Sequence, residues 1–229
     1  MAWTFVQSAS AASNAASLTG VTAGNLIVFY IKYEGTTASG DITVSDGTTG
    51  LTAGTHVYNV DLGGQAFYLL SANSGNKTYT ATFGVAKTFY SCCVMEWAPG
   101  GTASFDSQNT GSGNGATIAT GNITTTGSTI LAIGAHGNYN GQTSSAELIA
   151  GIAAAQVVRQ GSSGSSMWAS PGSLSAQGGA CTIAGTDWVG SIVSFSVESG
   201  PGSGSDVSSV SVSESSSNLI RVTVPEETA

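Results

Sequence analysis

The stretch Thr78-Tyr-Thr-Ala-Thr-Phe83 alternates hydroxyl side chains with apolar ones. Successive residues of a β-strand point to opposite faces of a sheet, so this period of two predicts a strand with one buried face. The same alternation recurs in residues 56–62 and 191–197. The longest apolar run, Leu26-Ile-Val-Phe-Tyr-Ile31, is six residues long and predicts a strand that is buried on both faces.

Turn signals separate these runs and favour an all-β fold. Clusters rich in Gly and small polar residues lie at 34–37, 45–47, 73–76 and 111–115. Charged residues make up only 8% of the chain, whereas helical surfaces usually carry Glu, Lys and Arg. Residues 144–155 are rich in Ala and begin with a Ser cap, but the segment is short and contains Gly151, which argues against a helix. Many short strands between turns predict a sandwich or a barrel.

A weak internal repeat predicts two related halves, about 1–100 and 101–198. Val21-Thr-Ala-Gly-Asn-Leu-Ile-Val28 resembles the segment that begins 103 residues later, and 79–97 resembles the segment that begins about 100 residues later. The halves form either two lobes or one sandwich with a shared core. Each half has few large apolar residues, which favours the shared core.

Beyond the sandwich of residues 1–198, the composition changes. Residues 199–206 form a Gly/Ser linker, and residues 207–229 predict a strand-forming tail. An isolated hairpin is marginally stable, so we expect the tail to pack either on its own domain or on a neighbouring subunit by strand addition. The predicted assembly contacts are its apolar residues Val207, Val210, Val212, Leu219, Ile220, Val222 and Val224.

The charge and the apolar pattern exclude two classes of partner. The net charge is −8 and the five basic residues are scattered, so the chain lacks the basic cluster that nucleic acid requires. No apolar run approaches the ~18 residues of a membrane-spanning helix, so we expect no membrane insertion. The chain begins with a β pattern and no signal sequence. We therefore expect a virion protein made in the host cytoplasm, the alternative being an extracellular or cell-surface protein.

Several short motifs of residues 1–198 recur together in a known class of proteins. They are Val-Thr-Ala-Gly-Asn-Leu-Ile-Val (21–28), Ile-Thr-Val-Ser-Asp-Gly (42–47), Gly-Asn-Lys-Thr-Tyr-Thr-Ala-Thr-Phe (75–83), Val-Met-Glu-Trp-Ala-Pro-Gly (94–100) and Ser-Phe-Asp (104–106). This order resembles the jelly-roll-like β-sandwich proteins of phages and environmental bacteria. Glu96-Trp-Ala-Pro-Gly100 departs from the usual Glu-aromatic-Ser-Gly. The resemblance implies an antiparallel jelly-roll-like sandwich and, in phages, capsid decoration proteins, fibres or host-surface binders.

The sequence predicts no catalytic residues, metal site or cofactor. It contains no Gly-x-Ser-x-Gly elbow, and His56 and His136 are interpreted as polar residues of strands. A glycosidase needs two carboxylates at a fixed separation. Glu96 is the strongest candidate for one of them, although strand alternation also places it on the outer face opposite Trp97. Cys92 and Cys93 are neighbours in a strand and cannot ligate one ion together.

Sugar binding uses exposed aromatic residues beside amides and hydroxyls. Tyr139 is flanked by Asn138 and Asn140 in a Gly-rich loop, which predicts either a docking tip or an interface loop. Trp168 and Trp188 are further candidates, although a Trp is more often part of a core.

The sequence therefore predicts a non-enzymatic virion structural accessory protein, either a capsid decoration or a fibre-type component. Its expected partners are other virion proteins or copies of itself, with a surface glycan as a further ligand. The alternative is a carbohydrate-binding or adhesive module. A glycoside hydrolase is the third and least favoured interpretation.

Overall fold

The computed structural model describes residues 3–35, 41–127, 129–160, 164–172, 176–198, 212–214 and 220–222. The N-terminal half contains eight strands: β1 (Thr4–Ala11), β2 (Ala15–Val21), β3 (Leu26–Glu34), β4 (Ile42–Ser45), β5 (Thr52–Asn59), β6 (Leu62–Leu69), β7 (Gly75–Phe83) and β8 (Thr88–Ala98). The C-terminal half contains β9 (Thr102–Thr124), β10 (Ile130–Asn138), a single 3-10 turn (Tyr139–Gly141), β11 (Ser145–Ile149), β12 (Ile152–Ala153), β13 (Gln156–Gln160), β14 (Ser165–Gly172) and β15 (Ala176–Glu198).

The strands of the N-terminal half pair in a nested order, all antiparallel. β1 pairs with β8, β2 with β7 and β3 with β6. They form a five-stranded sheet of order β1-β8-β3-β6-β5 and a three-stranded sheet of order β2-β7-β4. The central strand β3 is buried along almost its whole length, as the apolar run from Leu26 predicts. These pairings therefore join strands from opposite ends of this half of the chain.

The C-terminal half repeats this order with two longer strands. β9 pairs along its length with β15, and register shifts divide the ladder near Thr182 and Thr186. The later part of β15 pairs with β10, and β14 and β13 follow, so the order β9-β15-β10-β14-β13 matches β1-β8-β3-β6-β5. The early part of β15 pairs with β11, as β7 pairs with β4. The two halves therefore share one plan of strands.

Three large apolar cores and one small cluster, of Val57, Leu62 and Val189, lie in the described part of this arrangement. The inner core of the N-terminal half contains Phe29, Ile31, Tyr33, Val44, Phe67, Tyr79 and Val94. The inner core of the C-terminal half contains Ile118, Ile123, Ala132, Ile149, Trp168, Cys181 and Ile192. The shared core takes residues from both halves: Leu26, Val28, Tyr30, Met95 and Trp97 with Leu131, Ile133, Met167, Val193 and Phe195. Each half thus has a core of its own, and a third core joins them.

The two halves contact each other in a way that suggests an approximate two-fold relation. β1 lies against β13, and β5 lies against β9. Ser10 Oγ donates to the Arg159 carbonyl at the first contact, and the Thr55 N–H donates to Gln108 Oε1 at the second. Because β9 corresponds to β1 and β13 corresponds to β5, exchanging the halves exchanges the two contacts. Residues 1–198 form a single compact unit.

Two local predictions are settled by the strands. Residues 145–149 and 152–153 are strands, in agreement with the argument against a helix at 144–155. The turn predicted at 111–115 is wrong, because these residues lie inside β9 and pair with β15. Gly113 instead leaves space for the Trp188 side chain. A Cβ atom on Gly113 would lie 2.8 Å from the Trp188 ring, so only a residue without a side chain fits.

Residues 199–229 form a second compact unit. Its strands β16 (Val212–Glu214) and β17 (Ile220–Val222) pair antiparallel, with Val212 opposite Val222. The linker 199–206 and the predicted contacts Val207, Val210, Leu219 and Val224 lie outside the described residues. The prediction of a strand-forming tail is therefore confirmed at backbone level, and its assembly role stays a prediction.

The fold is all-β and antiparallel, as predicted, with two related halves. The jelly-roll assignment stays a prediction. The nested strand pairing of the N-terminal half is the observation relevant to it. In the part of the chain that the structure describes, no helix has the length and apolarity needed to cross a membrane.

Candidate binding groove

A groove of about 560 Å³ lies where strands of both halves end. We call it the aromatic groove and define it by Lys32, Glu34, Phe89, Tyr90, Tyr139 and Asn140. The first four residues come from the end of β3 and the start of β8, and the last two come from the turn after β10. The groove is therefore a feature of the assembled sandwich, which neither half builds alone.

Two aromatic side chains of the aromatic groove face solvent. Phe89 is 72% exposed and Tyr139 is 38% exposed. Phe89 has a φ of 51° and Asn140 has a φ of 66°, both in the left-handed region. Asn enters this region readily, but a bulky residue there is an outlier that the surrounding structure must hold in place. An exposed Phe on a strained backbone is a typical feature of a binding surface.

Hydrogen bonds anchor Lys87 and Thr88, the two residues before Phe89. Thr88 Oγ1 donates to the Glu34 carbonyl at 3.2 Å, and the Lys87 N–H donates to Tyr90 Oη at 2.9 Å. The Tyr90 ring also packs on Phe83, with 5.0 Å between the ring centroids. These contacts lie beside Phe89, whose neighbour Thr88 is also exposed and whose neighbour Tyr90 is half-buried.

The turn that carries Tyr139 is closed by Asn138. The Asn138 side chain is fully buried; its Oδ1 accepts from the Gln142 N–H at 2.8 Å, and its Nδ2 donates to the Gln142 carbonyl at 2.7 Å. Asn138 thus clamps the two ends of the turn together. Of the three residues predicted around this loop, Tyr139 and Asn140 line the aromatic groove, whereas Asn138 positions them from below.

An ion pair forms the charged floor of the aromatic groove. Lys32 Nζ donates to Glu34 Oε1, and the Lys32 side chain is only 2% exposed. Burial lowers the pKa of Lys32, and the hydrogen bond and charge of Glu34 oppose that shift. The stem of Lys32 crosses to the C-terminal half, where a Cβ on Gly137 would lie 2.3 Å from Lys32 Cγ. The ammonium is thus compensated and shielded from solvent.

The two tryptophans predicted as sugar contacts are buried. Trp168 is fully buried, and its Nε1 donates to the Leu148 carbonyl at 2.9 Å. Trp188 is also buried and packs over Gly113. A ligand cannot stack on an indole that is covered on both faces, so burial argues against a contact role for either residue. Both rings fill the C-terminal half, where Gly and Ala leave space.

Glu96 is buried inside the N-terminal half, which corrects its predicted place on the outer face. Its carboxylate accepts from Gln7 Nε2 at 2.5 Å, from the Thr22 N–H at 2.9 Å and from Asn25 Nδ2 at 2.6 Å. The position opposite Trp97 is as alternation predicts, but the second sheet covers this face as well. Glu96 thereby ties β1 and the β2–β3 turn to β8. A carboxylate enclosed in this way lacks access to a substrate.

A polar cluster lies in the C-terminal half. We call it the buried polar cluster; its members His136, Ser144, Glu147 and Ser166 are buried, and its fifth member, Arg159, is exposed at its edge. Ser144 Oγ donates to Glu147 Oε1 at 2.7 Å, and Arg159 Nε donates to the same oxygen at 2.6 Å. Burial opposes ionisation of Glu147, but the bonds from Arg159 and Ser144 hold its pKa below the ordinary value. The carboxylate is thus paired with Arg159.

His136 lies in the buried polar cluster without a hydrogen bond. It is fully buried, and neither ring nitrogen has a partner among the described residues. Burial lowers its pKa to about 3, with the charge of Glu147 opposing the shift and that of Arg159 adding to it. Ser144 Oγ donates to Glu147 and forms a second hydrogen bond with Ser166 Oγ, and His136 is a partner in neither bond. The geometry for a Ser–His nucleophile is therefore missing from this cluster.

The remaining candidates from the sequence have structural partners. His56 Nε2 and Tyr33 Oη form a hydrogen bond of 2.7 Å. Asp46 accepts from the N–H groups of Thr48 and Thr49 and closes its own turn. Burial raises the pKa of both Cys92 and Cys93 to about 12, so these thiols stay protonated at neutral pH. Among the described residues, no group of three His, Cys, Asp or Glu is placed to hold a metal ion.

The sequence reasoning identified one wall of the aromatic groove and missed the other. Tyr139 and Asn140 were found from their Gly-rich loop, whereas Phe89 and the Lys32–Glu34 pair were not. An aromatic pair at the start of a strand, Phe89-Tyr90, is the local signal, because alternation buries only one of two neighbours. No local pattern in the sequence indicates that Phe89 lies beside the loop of Tyr139, about fifty residues further along the chain.

The fold and the aromatic groove define an all-β sandwich of two related halves with a surface cleft at their junction. No protein-family model, curated protein or solved structure matches this chain.

Proposed function

We propose that this chain is a non-enzymatic structural accessory protein of a virion, either a capsid decoration or a fibre-type component. The observation that carries the proposal is the C-terminal unit with its paired strands β16 and β17. Two three-residue strands are marginal in water by themselves, so a further surface must stabilise them. Another virion protein or a second copy of this chain supplies that surface by strand addition.

Two further features support this proposal. The motifs of residues 1–198 that resemble phage sandwich proteins support a role in a virion after synthesis in the host cytoplasm. The aromatic groove has one carboxylate, Glu34, in its lining, whereas hydrolysis of a glycosidic bond requires two. Glu96, the strongest alternative, is enclosed, so a glycoside hydrolase has little support.

The assembly proposal is tested with the full-length chain and two variants of one residue. Ser213→Pro removes the backbone donor of a residue that pairs with Arg221, whereas Ser213→Ala keeps it. We expect wild type and Ser213→Ala to form regular assemblies in sedimentation velocity and electron microscopy, and Ser213→Pro to stay dispersed. A wild-type monomer whose amides at 212–214 and 220–222 are protected from hydrogen exchange at every protein concentration would overturn the proposal.

The second candidate function is a carbohydrate-binding or adhesive module, which the exposed aromatic residues of the groove favour. Phe89 and Tyr139 offer ring surface beside an amide and a carboxylate, a combination suited to sugars. Glycan-array binding by the wild type that Tyr139→Ala abolishes is the expected result. Val60→Ala is the control, because Val60 is exposed and lies outside the groove lining. Equal binding by wild type and Tyr139→Ala would refute this function for the groove.

A further inference from the structure

We infer that the aromatic groove selects neutral saccharides over anionic ones, with Phe89 and Tyr139 as stacking surfaces and the Lys32–Glu34 pair as the selective element. This inference deepens the carbohydrate-binding candidate and rests on it. Neither Phe89 nor the ion pair follows from the sequence patterns.

The two rings are the first reason. The described part of the chain exposes six large apolar side chains, and the only aromatic ones, Phe89 and Tyr139, line the same groove. One comes from each half, at the ends of strands that meet in the shared core. A pyranose ring has an apolar face of C–H groups that stacks on an aromatic ring. The groove volume of about 560 Å³ lies within the usual size range of small-molecule sites.

The backbone at the aromatic groove is the second reason. Phe89 and Asn140 are two of the five non-glycine residues with positive φ in the described chain, and both line this groove. Bonds at the two residues before Phe89 and the Asn138 clamp below Asn140 hold these conformations. Because the Phe89 ring faces solvent, its strained backbone does not serve the packing of the core. The strained conformation does fix the backbone that carries the ring before a ligand arrives, which reduces the entropy lost on binding.

The charges are the third reason. Among the described residues that line the groove, Lys32 is the only cation; it is buried and already bonded to Glu34, so none of these residues offers an open positive partner to a carboxylate ligand. Only Oε1 of Glu34 accepts from Lys32, and Oε2 is left for a ligand hydroxyl. Asn140 adds an amide that both donates and accepts. An anionic sugar would lose its hydration beside the Glu34 carboxylate without compensation.

The ligand class follows from these three features together. It has an apolar face for the rings, hydroxyl donors for Glu34 and hydroxyl acceptors for the Asn140 amide. A neutral pyranose, alone or at the end of a chain, meets all three requirements. A uronic or sialic acid meets the first two but brings a negative charge to a groove whose described lining residues offer no free cation.

The test compares neutral and charged oligosaccharides of matched linkage on the full-length protein. Isothermal titration with galactose-terminated and sialic-acid-terminated glycans, and with glucose and glucuronic-acid oligomers, measures each pair. We expect the neutral member to bind at least about tenfold more tightly, and Phe89→Ala to weaken that binding by about tenfold or more. The control variant Val60→Ala should bind as the wild type does, because Val60 shares the exposure and positive φ of Phe89 away from the groove.

Glu34→Gln separates the selective element from the stacking surfaces. The amide keeps the shape of the carboxylate but leaves the Lys32 charge uncompensated, so we expect the preference for neutral sugars to shrink by at least about tenfold. Near-ultraviolet circular dichroism checks that each variant is folded. Anionic glycans that bind the wild type as tightly as neutral ones, or a Phe89→Ala variant with wild-type affinity, would overturn the inference. Failure of every glycan to bind would instead overturn the carbohydrate-binding function itself.

Discussion

The two halves of the sandwich share a strand order but fill their inner cores with different chemistry. In the N-terminal half, β3 supplies Phe29, Ile31 and Tyr33 to its inner core. The residues at the same places of β10, 103 positions later, are Ala132, Gly134 and His136. The C-terminal half replaces the missing volume with Trp168 from β14 and with the buried polar cluster. A strand plan therefore tolerates very different cores, provided that the volume is filled and each charge is paired.

The matched positions give a first test, with the largest expected effect. Trp168 lies opposite Gly134, and a Cβ on Gly134 would lie 2.5 Å from the Trp168 ring. The corresponding N-terminal pair is Ile31 and Gln65. Gly134→Ile should lower the free energy of unfolding by about 3 kcal/mol or more, because the added side chain overlaps the indole.

A double variant shows whether the two pairs are exchangeable. Gly134→Ile/Trp168→Gln installs the N-terminal pair in the C-terminal half. We expect a loss smaller than the sum of the single losses, with a coupling of at least about 1 kcal/mol in urea unfolding. Strictly additive losses of unfolding free energy would show that the two substitutions do not compensate each other in volume.

The ion pair of the buried polar cluster gives the second test. The Glu147 side chain is buried, whereas that of Arg159 is 39% exposed. Arg159→Met should lower the free energy of unfolding by about 2–3 kcal/mol, less than for a fully buried pair, because Glu147 then lacks its partner. Adding Glu147→Gln should restore part of this loss. An unchanged stability of Arg159→Met would show that the pair contributes nothing to the C-terminal half.

Acid gives the third test, because the two histidines differ in burial. The folded pKa of His136, about 3, lies below the ordinary value of 6.5, so the unfolded state binds the proton first. Stability is complete above pH 6.5 and falls as the pH drops towards 3, by about 2 kcal/mol between pH 6.5 and 4.5. His136→Tyr, which installs the residue of the N-terminal half, should remove most of this slope.

His56 is the control for the acid test. Burial and the charge of Lys87 lower the pKa of His56 too, but it is only half-buried. His56→Gln should therefore change the slope less than His136→Tyr does. Urea unfolding at several pH values gives both slopes relative to each variant at neutral pH. Equal slopes in wild type and His136→Tyr would contradict the assignment, and effects confined below about pH 4.5 would point to Glu147, whose pKa is also lowered.

The smallest effect concerns the surface. Phe89 is exposed, whereas Val189, 100 positions later, is buried with Val57 and Leu62. Phe89→Gly should leave the free energy of unfolding within about 1 kcal/mol of wild type, because relief of the left-handed strain offsets the backbone entropy of Gly. Val189→Ala should destabilise by about 1–3 kcal/mol. A large loss in Phe89→Gly would give that ring a structural role instead.

Much of the fold was predictable because it depends on periodicity. Alternation identified the strands around Thr78 and Val193, and the continuous apolar run from Leu26 identified the buried strand β3. The repeat between 21–28 and 124–131 predicted the related halves. The predicted turn at 111–115 failed because glycine has two uses, and here it admits the Trp188 ring rather than reversing the chain.

The site was predictable only in part. Tyr139 was identified because its loop composition is local, but the exposure of Phe89 depends on a positive φ that no neighbouring residue dictates. The sequence also favoured a single shared core, since each half has few large residues. The structure adds an inner core to each half, because Trp168 and the Glu147–Arg159 pair fill the volume that β10 leaves open.

By itself the sequence determined the all-β class, the repeat and the strand-forming tail, because period, composition and turn residues act over a few neighbours. Only the tertiary structure decided which polar groups are buried, as with Glu96 and His136, and which aromatic residues meet, as with Phe89 and Tyr139. Burial and proximity are set by the stacking of sheets, and that stacking joins residues that are about fifty or a hundred positions apart in the chain.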